Sequence, residues 1–319
     1  MEKLHQNPTS ALWSGRTSDQ PEYWHQIVQP VNGLELHSGS EKKIGILGYA
    51  GDEGVRRNRG RVGTAKGPDA IRKMLGSTAY HLPDHLSVLD YGNVITVGEN
   101  MEGSHELITQ ITYDLLQTNH IPVLLGGGHD LAYAHGKGVE RYVREKNEKL
   151  GIINLDAHFD LRHLIDGKGH SGSPFYQLAM ENPDNFNYLA LGIQRASNPK
   201  SLFQTAENLN ALWMVMEEFR MNNWPEIQEK ILWLIESMDK IYLSIDLDGF
   251  SSAYAPGVSA PSPIGFDPLV SFKVFELIAT SNKLISMDVV ELNPQFDNDN
   301  ATARLAARCV EYVLRKVFQ

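Results

Sequence analysis

Short apolar runs of strand length recur along this chain, and segments of helical period separate them. The runs lie at 43–48, 122–125, 151–155, 188–191, 212–215, 241–245 and 284–289, with a weaker one near 87–89. They are continuous rather than alternating, so each predicts a strand buried on both faces, as in a parallel sheet. Between them, Gly67-Pro68-Asp69 opens a helix with Pro68 suited to the first helical position. Helical patterns also occupy 104–117, 131–146, 226–238, 268–279 and 303–317. Strand and helix in alternation imply a three-layer α/β/α fold with a mostly parallel central sheet. Such sheets bind ligands beyond the carboxyl ends of their strands.

No internal repeat and no Pro/Gly/Ser linker divides the 319 residues. The expectation is one catalytic domain over 41–319, preceded by an arm over 1–40 whose Trp13, Tyr23 and Trp24 pack on the body. The arm has no signal-type apolar core and no run reaches transmembrane length, so a cytoplasmic protein without a membrane partner is expected. A formal charge of −10 argues against nucleic acid. Cys309 is the only cysteine, which excludes an intrachain disulfide and a thiolate metal cluster. The basic stretch Arg56, Arg57, Arg59, Arg61 reads as a solvated loop.

The chemistry gathers at the run ends. Asp156-Ala-His158-Phe-Asp160 and Asp246-Leu-Asp248 each follow an apolar run directly. In extended chain, residues two apart face the same way, so each set is expected to converge. His129 follows Gly126-Gly127-Gly128, where glycines are expected to supply unusual backbone angles. The turn lacks the Lys-Ser/Thr of a phosphate loop and the G-x-G-x-x-G spacing, so it reads as a tight strand-to-helix turn. Imidazole with carboxylate suits Mn, Fe, Co or Zn, and the excess of carboxylate tilts the choice toward Mn. Two such ions can share a water and make it hydroxide near neutral pH. Glu291, at the end of the last run, is either a partner for a cationic amidinium or guanidinium, or an ordinary surface glutamate. Asp288 is a candidate supporting carboxylate, and Met287 a core residue.

Taken together, these motifs resemble the ureohydrolase, or arginase/agmatinase, superfamily. The matching pieces are Gly-Pro-Asp-Ala-Ile-Arg at 67–72, the Gly-Gly-Gly-His turn, Asp-Ala-His-Phe-Asp, Ser-Ile-Asp-Leu-Asp with the later Ala-Pro-Gly, and Glu-Leu-Asn-Pro. The Gly-Gly-Gly-His-Asp variant, Asp-Ala-His-Phe-Asp-Leu-Arg, Ser-Gly-Ser-Pro-Phe at 171–175 and Ala-Pro-Gly-Val-Ser-Ala-Pro are most similar to its formimidoylglutamase branch. That branch hydrolyses N-formimino-L-glutamate to L-glutamate and formamide in histidine degradation.

The resemblance implies two Mn2+ per subunit, a small amidine substrate bearing carboxylates, and a homo-oligomer. It implies that His129 and Asp160 hold one ion, that His158 and Asp248 hold the other, and that Asp156 and Asp246 bridge. It gives Glu291 the substrate-facing role, and in the mechanism expected here Asp160 relays a proton from the bridging group to the leaving amine. Ser171 falls where arginases and agmatinases carry a histidine, with His170 and His163 nearby as alternative proton donors. Arg162 stands where arginases use a neutral amide, and a guanidinium there can grip a substrate carboxylate. Pairing with Asp166 or a neighbouring helix is the other reading of Arg162, and Arg195 is a weaker second candidate. The rivals are an arginase, agmatinase or guanidino-acid hydrolase, a non-catalytic metal-binding protein, and a single-zinc deacetylase.

Overall fold

A computed structural model describes residues 4–34, 36, 39 and 41–319. The other arm residues, 1–3, 35, 37, 38 and 40, lie outside the described residues. Ten strands form one sheet: β1 (His5–Gln6), β2 (Gln29–Pro30), β3 (Lys43–Ala50), β4 (Ser87–Ile95), β5 (His120–Leu125), β6 (Leu150–Leu155), β7 (Asn187–Ile193), β8 (Leu212–Val215), β9 (Lys240–Asp246) and β10 (Leu284–Val290). Their order is β1-β4-β3-β5-β10-β9-β6-β7-β8, with β2 also on β4. All pairings are parallel except that of β1 with β4.

Successive residues of the inner strands enter different cores, which is why their sequences run largely apolar instead of alternating. Ile44 and Ile46 face the helices Gly67–Gly76, Pro268–Ala279 and Ala301–Val317, while Leu47 and Tyr49 face Met101–Gln117 and Leu131–Glu145. On β6 and β9, Ile153 and Leu243 join the first core, whereas Ile152 and Tyr242 join a third cluster with Val139 and Phe175. Helices therefore cover both faces, and the three-layer expectation holds. No helix among the described residues is long and apolar enough to cross a membrane.

The weak run near 87–89 is in fact part of β4, the longest strand at nine residues. Asp90 in its middle hides the pattern. That carboxylate is fully buried against the fully buried Arg72, 2.8 Å away, and also accepts from Trp13 Nε1 at 2.8 Å. The pairing satisfies a charge that burial alone would exclude. Trp24 of the arm is fully buried in the main core as well. The helices Trp24–Ile27, Glu53–Arg57, Pro174–Glu181 and Lys200–Asn208 leave no such pattern in the sequence.

The chain leaves β5 for β6 and later fills the gap between them with β9 and β10. Five neighbours, β3, β5, β10, β9 and β6, thus end side by side, and every candidate ligand lies at or just past their carboxyl ends.

Candidate metal centre

The convergence of ligands has a different origin from the strand pleat. β6 stops at Leu155, so Asp156 to Asp160 form an irregular loop, with Asp160 left-handed at φ +51°. Asp248 lies in a 3-10 turn over Leu247–Gly249 rather than on β9. Side-chain caps replace the ladder: Asp156 Oδ1 accepts from His158 N at 2.7 Å, and Asp246 Oδ1 accepts from Asp248 N at 2.8 Å. Each aspartate turns the chain back on itself and turns its other oxygen toward His129, that of Asp156 also accepting from Asn154 at 3.0 Å. Asn198, unnoticed in the sequence, clamps the first loop by accepting from Phe159 N and donating to the Ala157 carbonyl.

The glycines before His129 also work differently from the expectation. None of the three has positive φ. They are there for room: a Cβ on Gly127 would lie 2.1 Å from the Gly51 carbonyl, and one on Gly126 would lie 2.6 Å from Val290 Cγ1. The turn packs against the backbones that follow β3 and β10, and this brings His129 over the sheet.

Two groups of ligand atoms result. His129, Asp156, Asp160 and Asp246 form one; Asp156, His158 and Asp248 form the other; within each group the atoms lie within 4.8 Å of one another. Asp156 belongs to both, Asp246 to the first only. His129 Nδ1 stands 2.8 Å from Asp160, 2.9 Å from Asp246 and 3.2 Å from Asp156. These are contact distances, yet none is aligned as a hydrogen bond, and among the described residues this buried nitrogen has no hydrogen-bond partner. Asp248 Oδ1 is likewise buried and unpartnered. Ligand atoms about 3 Å apart are what an octahedral ion with bonds of about 2.1 Å requires. The donor set fits a hard divalent ion.

Electrostatics agrees. Burial, and then Asp156, push the Asp160 carboxyl up to about 6. Burial, Asp248 and Asp156 raise Asp246 well above the carboxylate range. Asp156 moves the other way: burial opposes its charge, but the adjoining His129 and His158 imidazoles outweigh it and lower its pKa. Four crowded carboxylates cannot all ionise without cations among them.

Glu291 is buried and left-handed at φ +67°, and its Oε1 accepts the backbone N–H of His129 at 2.7 Å. Burial and then Asp248 push its carboxyl up to about 8. It is no surface glutamate. One cavity of about 300 Å3 joins Glu291 to five of the six ligands and to Asn58, Arg59, Arg162 and Ser171. Among the described residues the Arg162 guanidinium meets the Asn58 amide at 3.4 Å and no carboxylate, so the pairing with Asp166 does not form. Asn58 also donates to Ser171 Oγ at 3.1 Å.

Neither alternative histidine lines the cavity. His170 accepts from Gly172 N through Nδ1 and donates through Nε2 to the His163 carbonyl, so both ring nitrogens are spent in its own loop. His163 leans on Tyr176, outside the cavity. Arg195 faces the Phe203 ring, also outside it.

The Arginase family model matches residues 42–315. The chain belongs to the arginase family. Among its relatives, formimidoylglutamase of Clostridium tetani is 36% identical over 309 residues, 93% of this chain and 91% of that one. The Nocardia farcinica formimidoylglutamase is 40% identical over 310 residues, 95% and 96% of the two chains. Among solved structures, a formimidoylglutamase from Bacillus subtilis aligns with a TM-score of 0.83 at 22% identity, over 95% of this arginase-family chain and 94% of its own. Trypanosoma cruzi formiminoglutamase with Mn2+2 aligns with a TM-score of 0.78 at 26% identity, over 89% and 97%.

Proposed function

We propose that this chain hydrolyses N-formimino-L-glutamate to L-glutamate and formamide, with two Mn2+ per subunit, in histidine degradation. The observation that carries the reading is one cavity holding two adjoining ligand groups, a buried carboxylate and a cationic guanidinium. The named relatives support the substrate, and the T. cruzi relative is one that was solved with Mn2+.

His129, Asp160 and Asp246 would hold the first ion, His158 and Asp248 the second, with Asp156 serving both. Bound manganese supplies an ionised water near neutral pH and Lewis acidity. The protein residues supply the rest. Glu291 keeps Oε1 on the His129 N–H, which leaves Oε2 to accept from the formimino N–H. A cationic amidinium beside it restores the carboxylate that burial disfavours. Arg162, with Asn58 and Ser171, faces a substrate carboxylate. An arginine at this point repels the free amine of agmatine. Water adds to the formimino carbon, the bond from that carbon to the glutamate nitrogen breaks, and Asp160 passes a proton to the departing amine.

We further propose a cytoplasmic homo-oligomer built from a single catalytic domain over 41–319 and an N-terminal arm over 1–40. The deciding experiment offers manganese-loaded protein four substrates separately: formiminoglutamate, arginine, agmatine and 4-guanidinobutyrate. Formamide and glutamate from the first alone are expected. Urea from any guanidine would overturn the substrate while sparing the metal site.

A further inference from the structure

Four arginines crowd the loop after β3, and three of them are committed. Arg56 and Arg57 pair with Glu53, Glu99 and Glu102. Arg61 donates to the Ser259 and Val258 carbonyls and lies 3.7 Å from the Phe296 ring centroid. Arg59 differs. Its side chain has no ion pair or hydrogen bond among the described residues, and it is exposed at the wall of the metal-centre cavity.

The backbone beneath Arg59 is unusual too. The helix Glu53–Arg57 closes with Arg59 N on the Arg56 carbonyl at 3.0 Å and Gly60 N on the Val55 carbonyl at 2.8 Å. That pair of bonds forces residue 59 into the left-handed region, at φ +62°. Glycine is the usual occupant of this place in a helix cap, because a Cβ is unfavourable there. The glycine comes one residue late, at Gly60, where a Cβ would lie 2.8 Å from Val55 Cγ1 and Ser259 Oγ. The cap itself would be better served by glycine at 59 as well. What the position gains from arginine is a cationic side chain on a residue that lines the cavity, which fits strain kept for function.

We propose that Arg59 binds one of the two substrate carboxylates, the one that Arg162 leaves open. This rests on the formiminoglutamate reading. One guanidinium suffices for a monocarboxylate, whereas a dicarboxylate is best met by a second cation, and Arg59 is the arginine of its loop that lines the cavity without a partner among the described residues. Its neighbour Asn58 already touches both Arg162 and Ser171, so the two cations flank one short segment.

The test is Arg59→Gly, which keeps or improves the cap. The variant is expected to melt at the wild-type temperature or above it. KM for formiminoglutamate should rise about ten- to hundredfold, with a smaller change in kcat, as for loss of a charged hydrogen bond. Two monocarboxylate analogues locate the contact: 4-formiminobutyrate, which lacks the α-carboxylate, and formiminoalanine, which lacks the γ-carboxylate. The variant should weaken one of them and spare the other. An unchanged KM for the dicarboxylate overturns the proposal, and so does an equal loss on both analogues, which is the mark of a diffuse field. Calorimetric binding of L-glutamate to the manganese-loaded protein reads the contact without turnover. A wild type that binds glutamate through Arg59 yet hydrolyses no formiminoglutamate would fail the activity and keep the site; glutamate binding unaffected by the variant would sink Arg59 itself.

Discussion

The Ser244 hydroxyl lies 3.0 Å from His129 Nε2 and 2.7 Å from Asp288 Oδ1. A hydroxyl has one proton, and Asp288 takes it, so Ser244 must accept the Nε2 proton of His129. The ring is thereby fixed with Nδ1 bare and turned to the carboxylates. Asp288 also accepts from Tyr242 and from His135, which lies 2.6 Å away, so the whole chain of contacts sits buried behind the ligand. Outer partners of this kind orient metal-binding histidines.

Ser244→Ala should therefore weaken manganese binding about 10- to 100-fold while the fold survives. Calorimetric titration of metal into metal-free protein reads the loss, with circular dichroism as the control. Wild-type affinity in the variant would show that Ser244 does not orient the ring.

Asp156 belongs to both ligand groups, and this separates it from its neighbours. Asp156→Asn should weaken both ions, whereas Asp160→Asn and Asp248→Asn should each weaken one. Elemental analysis after gel filtration gives the metal content per subunit. One tightly held ion in the Asp156 variant, at the wild-type affinity, would rule out its shared role.

Most of the inner sheet was legible because double-sided burial writes continuous apolar runs, and six ligand candidates stood at the ends of three of them. The geometry that joins them was not. Pleat alternation predicts convergence only while the strand lasts, and β6 ends before Asp156. Caps by Asp156 and Asp246 do that work, and a polar side chain reaching its own backbone leaves no periodic signal. Ser244 and Asn198 were silent for a related reason: one polar residue in or after an apolar run looks the same whether it orients a ligand or pins a loop. Arg59 was hidden among three arginines of identical type. Only their carboxylate and carbonyl partners distinguish them.

β4 was nearly lost for a cause that yields its own prediction. Asp90 and Arg72 are both fully buried, and Arg72 also donates to Asn93 Oδ1 at 2.7 Å. Removing one partner strands the other charge. Asp90→Ala should destabilise the protein by about 3–5 kcal/mol, and Asp90→Leu with Arg72→Met together should cost less than Asp90→Ala alone. Urea unfolding followed by fluorescence measures both. A double variant as unstable as the sum of the single ones would mean that the pair is not coupled.

His120 supplies a pH dependence far from the metal ligands. Its Nε2 lies 3.1 Å from the Tyr91 hydroxyl and its Nδ1 lies 3.0 Å from Thr118 Oγ1, in a buried pocket at the start of β5. Burial, and then the Lys43 ammonium, lower its pKa to about 4. The unfolded chain titrates near about 6.5. Above that pH both states are neutral and His120 contributes nothing to the pH dependence. Between about 6.5 and about 4 the unfolded chain takes a proton that the folded chain refuses, so stability falls as pH falls. The loss attributable to this residue is on the order of 3 kcal/mol across that window. His120→Gln keeps a polar group and cannot titrate, so it should lose less stability than wild type between about pH 7 and about pH 4.5 in denaturant melts. Equal losses in the two proteins would mean that folded His120 takes up its proton as readily as the unfolded chain does.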